Sequence, residues 1–223
     1  MKAYSERVLN KNFKSFNGKP LFRWTLEALL ALPEITQVVI NTDARHILAE
    51  HCLLDSERVL IRDRKPEICA DFVSMNRILE DDIVNVPGDV YLMSHTTNPL
   101  LSSATIAQAL QTFLVAQAEG KADSLFTVNR FQTRFYRQDV SAVNHDPKHL
   151  IRTQDLEPWY EENSNLYIFT ASSFASTDAR IGLNPFMVET PRLESIDIDD
   201  EIDWRLAEAL AQYQNSSQGS QPA

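Results

Sequence analysis

Short runs of β-branched and other apolar residues alternate along the chain with longer segments in which apolar residues recur at helical spacing. The runs that predict buried strands are residues 37–42, 59–63, 89–95, 124–129, 165–170 and 185–190. The segments that predict helices are residues 21–32, 44–52, 72–83, 104–120 and 200–213. This alternation is typical of an α/β fold, so the pattern predicts a mainly parallel sheet with helices packed on it.

Residues 130–163 interrupt this alternation. They are rich in Arg, Gln, Asp, His and Trp and contain only short strand-like pieces, such as residues 149–154. We therefore predict one domain over residues 1–212 with an irregular insertion at 130–163. The last residues, 213–223, carry no charge and few apolar side chains, so we predict a disordered tail there.

The composition disfavours some classes of binding partner. The chain of 223 residues carries a formal net charge of -10, which disfavours nonspecific binding to nucleic acid or to an anionic membrane. No run approaches the ~20 apolar residues of a membrane span, and no apolar signal segment follows Lys2. Cys52 and Cys69 form no CxxC pair and are predicted to be reduced thiols of the core. A cytoplasmic protein is expected.

The start of the chain is basic, although the chain as a whole is acidic. The first 23 residues hold a single acid, Glu6. The basic residues there are Lys2, Arg7, Lys11, Lys14, Lys19 and Arg23. Cations and loop backbone donors suit a polyphosphate, although neither a Walker A loop nor a GxGxxG motif is present. On composition alone, a solvated basic face is an equally good interpretation.

The acidic segment ESIDIDDEIDW, at residues 194–204, is the second candidate for chemistry. Alternation in an extended segment places Asp197 and Asp199 on one side, where two carboxylates can hold Mg²⁺. The alternative, more common for such a run taken alone, is that Asp199 or Asp200 caps the following helix. A basic loop elsewhere favours the metal interpretation, because polyphosphate chemistry uses both cations and a divalent ion.

Among the histidines, His95 lies at the end of a predicted strand, and ligands of open α/β sheets bind beyond the carboxyl ends of the strands. His145 and His149 have the i,i+4 spacing of a zinc pair, but Pro147 argues against a helix there, so surface positions are the better interpretation. The sequence contains no nucleophile elbow and no convincing Cys–His pair, so it does not predict covalent catalysis.

Several blocks, taken in order, resemble the acylneuraminate cytidylyltransferase family, whose members make CMP-sialic acids and related CMP-sugars. The blocks are SERVLNKNFKSFNGKPLFRWTLEAL, RKPEICAD, YLMSHTTNPLL, DSLFTV, ENSNLYIF and IDIDDEIDWRLAE. The resemblance implies a three-layer sugar nucleotidyltransferase (Rossmann-like) fold and a homodimer formed through residues 130–163. It also implies Mg²⁺-dependent transfer of a cytidylyl group from CTP to a nonulosonic or related 2-keto-3-deoxy sugar acid, with release of pyrophosphate.

The resemblance also implies roles by position. The catalytic positions are held by Lys2, Lys11 and Asp199. The nucleotide-binding positions are held by Ser5, Arg7, Asn12 and Arg64. The sugar-facing positions are held by His95, Thr97 and Asn98, and the metal-binding pair is Asp197 and Asp199.

The chain departs from the family pattern at several positions, so the identity of the sugar substrate is not predicted. The alternative function is that of a catalytically inactive relative that binds a nucleotide or a sugar. The departures are Glu6, Leu9, His95, Asn98 and Ser164. The family's first strand, of about 5–6 residues, is expected before the loop, yet only residues 1–4 precede Ser5. We expect a sheet without that strand, and a late-assigned start or a truncated chain is favoured over a genuine short form. A glycosyltransferase is less favoured, because its acidic pair usually lies mid-chain.

Overall fold

The computed structural model of the chain describes residues 1–5 and 7–218. Its strands are β1 (Ser15–Phe16), β2 (Lys19–Pro20), β3 (Val38–Thr42), β4 (Val59–Asp63), β5 (Tyr91–Ser94), β6 (Ser124–Phe131), β7 (Trp159–Phe169) and β8 (Pro185–Glu189). Its α-helices are α1 (Leu21–Leu30), α2 (Arg45–Glu50), α3 (Met75–Asn85), α4 (Ser103–Ala118), α5 (Ala171–Thr177) and α6 (Glu201–Gln218). Each predicted strand and helix overlaps an observed element, so the predicted α/β order is confirmed.

Helix boundaries follow local capping chemistry. The hydroxyl of Ser102 accepts from the N–H of Thr105 at 3.1 Å and caps α4. Gly120, just beyond the end of that helix, has a φ of 67°, a left-handed conformation that glycine adopts without a steric cost. Thr170 and Ser173 cap α5 reciprocally, yet this short helix has too little periodicity for the sequence to predict it.

Three expectations need correction. Residues 149–154 form no strand, and a 3-10 helix spans Thr153–Asp155. Residues 213–218 continue α6 to Gln218, where disorder is predicted, while 219–223 lie outside the described residues. Cys52 is exposed rather than in the core, and Cys69 is half-buried, because Cys52 lies in the left-handed turn that follows α2.

The strands form two larger pieces of sheet and a separate short antiparallel pair, β1 with β2. β3 and β4 pair in parallel, with Val38 opposite Val59. The other four strands have the order β5-β7-β6-β8, in which β8 is parallel to β6 and β7 is antiparallel to both neighbours. β7 is therefore the reversed strand of this sheet. Its Ser164, where the family has glycine, takes a φ of 58°, a conformation that costs an L-residue about 1–2 kcal/mol.

Alternation along β7 creates the three layers. Leu166 and Ile168 point to one face, where they pack with α1 and α4. Tyr167 and Phe169 point to the other face and pack with residues of α3 and α5. All four side chains are at most 1% exposed, so both faces of the sheet are covered, as the fold class predicts.

A gap separates the two pieces of sheet. Within the described residues, no strand pairs with the second edge of β3 or of β5. The carboxyl ends of both strands meet the same N-terminal segment, since the Met1 nitrogen donates to the Asn41 carbonyl at 2.6 Å and Thr96 donates to Asn12 at 2.6 Å. β3 and β5 therefore point the same way, with the place of the expected first strand between them.

Helix α6 packs against the start of the chain. Its Trp204 is 3% exposed and meets the ring of Phe16 edge-on, with 5.6 Å between the ring centroids. Val8 and Ile198 complete the same buried cluster. This packing joins the two ends of the described chain, and so brings the basic loop and the acidic segment together.

Candidate active site

The basic loop, residues 1–14, meets the acidic segment at Ile198. The Ile198 N–H donates to the Thr97 carbonyl at 2.9 Å, and the Ile198 carbonyl accepts from Lys11 Nζ at 2.6 Å. The Ile198 side chain is fully buried. Because side chains alternate in an extended segment, the carboxylates of Asp197 and Asp199 both lie on the side away from this apolar contact.

Two other acids, Asp200 and Asp203, cap α6. The Oδ1 atom of Asp200 accepts from the N–H groups of Ile202 and Asp203, at 2.7 and 3.0 Å. In return, Asp203 Oδ2 accepts from the N–H groups of Asp199 and Asp200. The capping and metal interpretations of this segment therefore apply to different residues, and the side chains of Asp197 and Asp199 remain available to the site.

Asp199 faces the cations of the basic loop. Its Oδ1 lies 2.9 Å from the Arg7 guanidinium and 3.9 Å from Lys11 Nζ. The Lys11 side chain is only 12% exposed, and burial, more than its neighbours, lowers the pKa of that amine. A poorly hydrated cation beside a carboxylate is suited to a phosphate oxygen.

Asp197 is the more buried of the two carboxylates. Burial raises its pKa, and the nearby charge of Asp199 acts in the same direction. Thr97 hydrogen-bonds to the Asp197 side chain, yet Oδ1 of Asp197 is buried without a hydrogen-bond partner in the described part of the chain. A buried carboxylate oxygen without a partner, beside a second carboxylate, fits the oxygen ligands that Mg²⁺ prefers.

Two further predicted cations lie at the carboxyl ends of the strands. Lys2 Nζ contacts Asp71 Oδ1 at 2.5 Å. Arg64 follows β4 and donates to the side-chain and backbone oxygens of Asn41, both at 2.9 Å. Arg64 is 8% exposed, and burial lowers its pKa. Both cations are thus held in place by groups of the protein.

Asn12 and Asn98 bind backbone groups of neighbouring loops, and Asn12 also lies at the cleft described below. Asn12 is 7% exposed, donates to the Lys2 carbonyl at 2.9 Å and accepts from Thr96. Asn98 is fully buried and donates to the Ile196 carbonyl at 3.2 Å. Their amides are used to fix the loop after β5 against the chain ends, which is a positioning role.

His95 lies at the predicted place, just beyond β5, with a cation that the sequence did not reveal. Burial, and next the charge of Arg180, lower the pKa of His95 to about 4. The Arg180 guanidinium stacks over the Tyr167 ring at 3.7 Å and donates to the Tyr167 hydroxyl at 2.9 Å. Glu162 lies 3.3 Å from the same guanidinium. No motif marks Arg180, since it lies in an irregular segment between α5 and β8.

A cleft of about 830 Å³ is lined by several of these groups, although Asn98, Arg180, Asp197 and Asp199 are not among its lining residues. Its polar end is lined by the basic loop, Arg64 and the residues that follow β5. The site residues that line it are Lys2, Ser5, Arg7, Lys11, Asn12, Arg64, His95 and Thr97. The rest of the cleft is largely apolar and continues between β3 and β5. The polar end thus lies beyond the carboxyl ends of the strands, where ligands of such sheets bind.

The sequence matches the family model described as cytidylyltransferase over residues 1–219. The chain belongs to the cytidylyltransferase family. It is 25% identical over 224 residues to the pseudaminic acid cytidylyltransferase of Campylobacter jejuni, covering 96% of this chain and 94% of that protein. It is 26% identical over 222 residues to the CMP-N,N'-diacetyllegionaminic acid synthase of Legionella pneumophila, covering 94% and 92%. This cytidylyltransferase is accordingly a nucleotidyltransferase.

Solved structures agree on the fold. A CMP:2-keto-3-deoxy-manno-octonic acid synthetase complexed with CTP matches with a TM-score of 0.63 at 12% identity, over 96% of each chain. A cytidylyltransferase from Leptospira borgpetersenii matches with a TM-score of 0.61 at 15% identity, over all of this chain and 95% of that one. The predicted fold class of this cytidylyltransferase is therefore confirmed.

In the described part of the cytidylyltransferase, no group of three or more His, Cys, Asp or Glu side chains is arranged to hold a metal ion. His145 instead contacts the Tyr136 hydroxyl at 2.9 Å, and His149 contacts Asp146. None of the described helices is both long enough and apolar enough to span a membrane.

The environment of His95 predicts a pH-dependent stability. Its pKa falls from 6.5 to about 4 on folding, so between these values the unfolded chain binds more protons and the free energy of unfolding rises with pH. His95→Gln should remove roughly 2–3 kcal/mol of this rise. Urea unfolding of both proteins across this pH range measures the difference, and parallel pH profiles would contradict the prediction.

Proposed function

We propose that this cytidylyltransferase transfers a cytidylyl group from CTP to the anomeric hydroxyl of a nonulosonic or related 2-keto-3-deoxy sugar acid. The hydroxyl oxygen attacks the α-phosphorus, the bond to the bridging oxygen breaks, pyrophosphate leaves and the hydroxyl proton passes to solvent. The observation that carries the proposal is the meeting of the Asp197–Asp199 pair with Arg7 and Lys11, two cations that line the polar end of the cleft.

The cations of the basic loop would bind the triphosphate. Arg7 and Lys11 both approach Asp199, and phosphate oxygens can replace that carboxylate as their partner. Lys2 reaches the same cleft and is half-buried against Asp71. Fixed cations stabilise the charge that develops on departing pyrophosphate, because they need little reorganisation in a partly desolvated site. Ser5 and Arg64 are assigned to nucleotide binding on the same basis.

Asp197 and Asp199 would hold Mg²⁺, whose presence supplies charge neutralisation for the phosphates. The fit rests on the Asp197 oxygen that has no partner and on the placement of both carboxylates beside Lys11. Asp199 would then exchange its contacts with Arg7 and Lys11 for the ion, which frees these cations for phosphate. No protein nucleophile is needed in this scheme.

The sugar acid carries a carboxylate that needs a cation near the α-phosphate. Arg180 supplies one beside His95, and its stacking on Tyr167 fixes its orientation. His95 is neutral near neutral pH because burial lowers its pKa, so it can hydrogen-bond to a sugar hydroxyl without adding charge. Thr97 completes the sugar side, whereas Asn98 is assigned only to holding the loop.

The pyrophosphate assay tests the reaction itself. With CTP, Mg²⁺ and pseudaminic, diacetyllegionaminic or N-acylneuraminic acid, we expect turnover with at least one acid. Asp199→Asn should lower the rate at least ~100-fold, because it removes a charge needed only around the phosphates. The matched control is Asp200→Asn, which removes a neighbouring charge, keeps an oxygen that can cap the helix, and should keep both its stability and its turnover.

No turnover with any of these acids, together with CTP binding in calorimetry, would favour the inactive nucleotide-binding relative. Equal loss of turnover in both variants would show that the acidic segment acts only through its fold.

Thermal unfolding in the presence of CTP tests the metal proposal without an activity readout. Mg²⁺ should raise the unfolding temperature of the unaltered chain and of Asp200→Asn, but not of Asp197→Asn, because only the last lacks the buried carboxylate. An equal Mg²⁺ shift in all three proteins would contradict the assignment of Asp197.

Arg180→Met should raise the KM for the sugar acid at least ~10-fold while the KM for CTP changes little, because a carboxylate loses its charged partner. Arg180→Lys keeps the charge, so its KM for the sugar acid should lie between those of the unaltered chain and of Arg180→Met. Steady-state kinetics with each substrate varied in turn gives the comparison, and a larger effect on the KM for CTP would place Arg180 on the nucleotide side instead.

The homodimer and the cytoplasmic location stay predictions. Residues 130–163 extend from the paired ends of β6 and β7, where Asn129 lies opposite Glu161. Large apolar side chains remain exposed there, namely Tyr136, Val140, Leu150, Ile151 and Trp159. An exposed group of this kind favours an interface, so we propose that a second copy packs on it.

A further inference from the structure

The block DSLFTV begins with two polar residues that have no part in the proposed reaction. Asp123 lies just before β6, and Ser124 is the fully buried first residue of that strand. β5 and β6 are both antiparallel to β7, so they run the same way, and Ser124 lies level with Tyr91 at the start of β5. His95 follows the other end of β5, roughly 13 Å further along the strand direction. Any effect of the two polar residues on a substrate must therefore be transmitted.

Both residues bind the backbone of the α5–β8 loop, residues 178–184. Asp123 Oδ2 accepts from the Leu183 N–H at 2.8 Å, and Ser124 Oγ accepts from the Gly182 N–H at 2.8 Å. The Ser124 hydroxyl donates in turn to Asp123 Oδ1 at 3.0 Å. Two successive N–H groups of the loop are thus fixed to the start of β6 by side chains that also bind each other.

The fit between this carboxylate and Gly182 is close. A Cβ atom on Gly182 would lie 2.6 Å from the carboxyl carbon of Asp123, nearer than the 3.0 Å below which real Cβ contacts essentially never occur. The φ of Gly182 is not positive, so its backbone conformation does not call for glycine. The missing side chain at this position therefore makes room for the contact with Asp123.

Arg180 lies two residues before this contact, and its side chain reaches toward the site. Its guanidinium stacks over the Tyr167 ring at 3.7 Å. Its own N–H is held by a longer bond, to Asn76 Oδ1 at 3.4 Å, while the Ile181 carbonyl accepts from the Thr177 hydroxyl at 2.9 Å. The shorter N–H bonds at the start of β6 therefore fix the loop on the carboxyl side of Arg180.

We propose that Asp123 and Ser124 are positioning residues for Arg180. By holding the N–H groups of Gly182 and Leu183, they set the loop backbone from which the guanidinium reaches the site. The role rests on the proposed function, in which Arg180 binds the carboxylate of the sugar acid. An arginine side chain loses much rotamer freedom when it is ordered, so an arginine that is fixed before the substrate arrives binds it more tightly.

Substitutions at the contact test this role by kinetics. Asp123→Ala should raise the KM for the sugar acid at least ~5-fold and change the KM for CTP less than ~2-fold, because only the sugar side loses a placed cation. Asp123→Asn keeps an oxygen for the Leu183 N–H and should restore most of the KM. Gly182→Ala should act like Asp123→Ala, and the double variant should be no worse than either one, because both changes break the same contact.

The matched control for a general loss of stability is Ile106→Val. Ile106 is fully buried in α4, on the sheet face opposite Tyr167. Removing one methylene group there should lower the unfolding temperature and keep both KM values.

Nuclear magnetic resonance of His95 gives a readout that needs neither the sugar acid nor turnover. The charge of Arg180 is, after burial, a cause of the low pKa of His95, about 4, so a displaced guanidinium should let that pKa rise. The Cε1 proton of His95, assigned by its loss in His95→Gln, should titrate at higher pH in Asp123→Ala and at the highest pH in Arg180→Met. Asp123→Asn and Ile106→Val should titrate like the unaltered chain.

An unchanged His95 titration in Asp123→Ala would overturn the positioning role, and so would an equal rise of the two KM values. A raised pKa of His95 in a protein that turns over none of the sugar acids would support the placement of Arg180 and count only against the proposed reaction. Should Asp123→Ala not fold, Ser124→Ala carries the same comparisons, because it removes the bond to the Gly182 N–H and leaves the carboxylate in place.

Discussion

The site depends on the way Ile198 holds three distant segments at one point. Its N–H is satisfied by Thr97, its carbonyl by Lys11, and its side chain by the apolar cluster of Phe16 and Trp204. Buried backbone groups need partners, so this residue can be buried only when the loop after β5, the basic loop and α6 all meet. Asp197 and Asp199 flank it and lie near Lys11 of the basic loop.

The local excess of positive charge is balanced from other parts of the chain. Lys2 pairs with Asp71, Arg7 with Asp199, Lys14 with Glu201 and Lys19 with Glu27. Exposed pairs of this kind contribute about 0–1 kcal/mol each, so they do not hold the loop in place; the packing of Val8 and Phe16 does. Weak pairs beside a rigid scaffold are what an exchangeable phosphate site requires, because a ligand can replace the carboxylates without unfolding the loop.

The start of the basic loop lies beside the gap in the sheet. Residues 1–5 lie along the end of β3 and are held by the Met1 and Ala3 nitrogens. A cleft that runs from this point between two strand edges leaves the centre of the fold less covered than its outer strands, which is the reverse of the usual arrangement. The candidate site therefore adjoins both the buried cluster around Ile198 and the cleft that Val39 lines.

The sequence by itself determined the order of elements, the basic loop and the acidic pair, because periodicity and local charge are properties of neighbouring residues. It could not say which aspartate of IDIDD caps α6; only the contacts of Asp200 with Asp203 decided that. Nor could it find Arg180, the burial of Asn12 and Asn98, or the helical continuation of α6, because each depends on which distant segment lies alongside. Spacing fixes which side chains share a face, but only tertiary packing decides what that face meets.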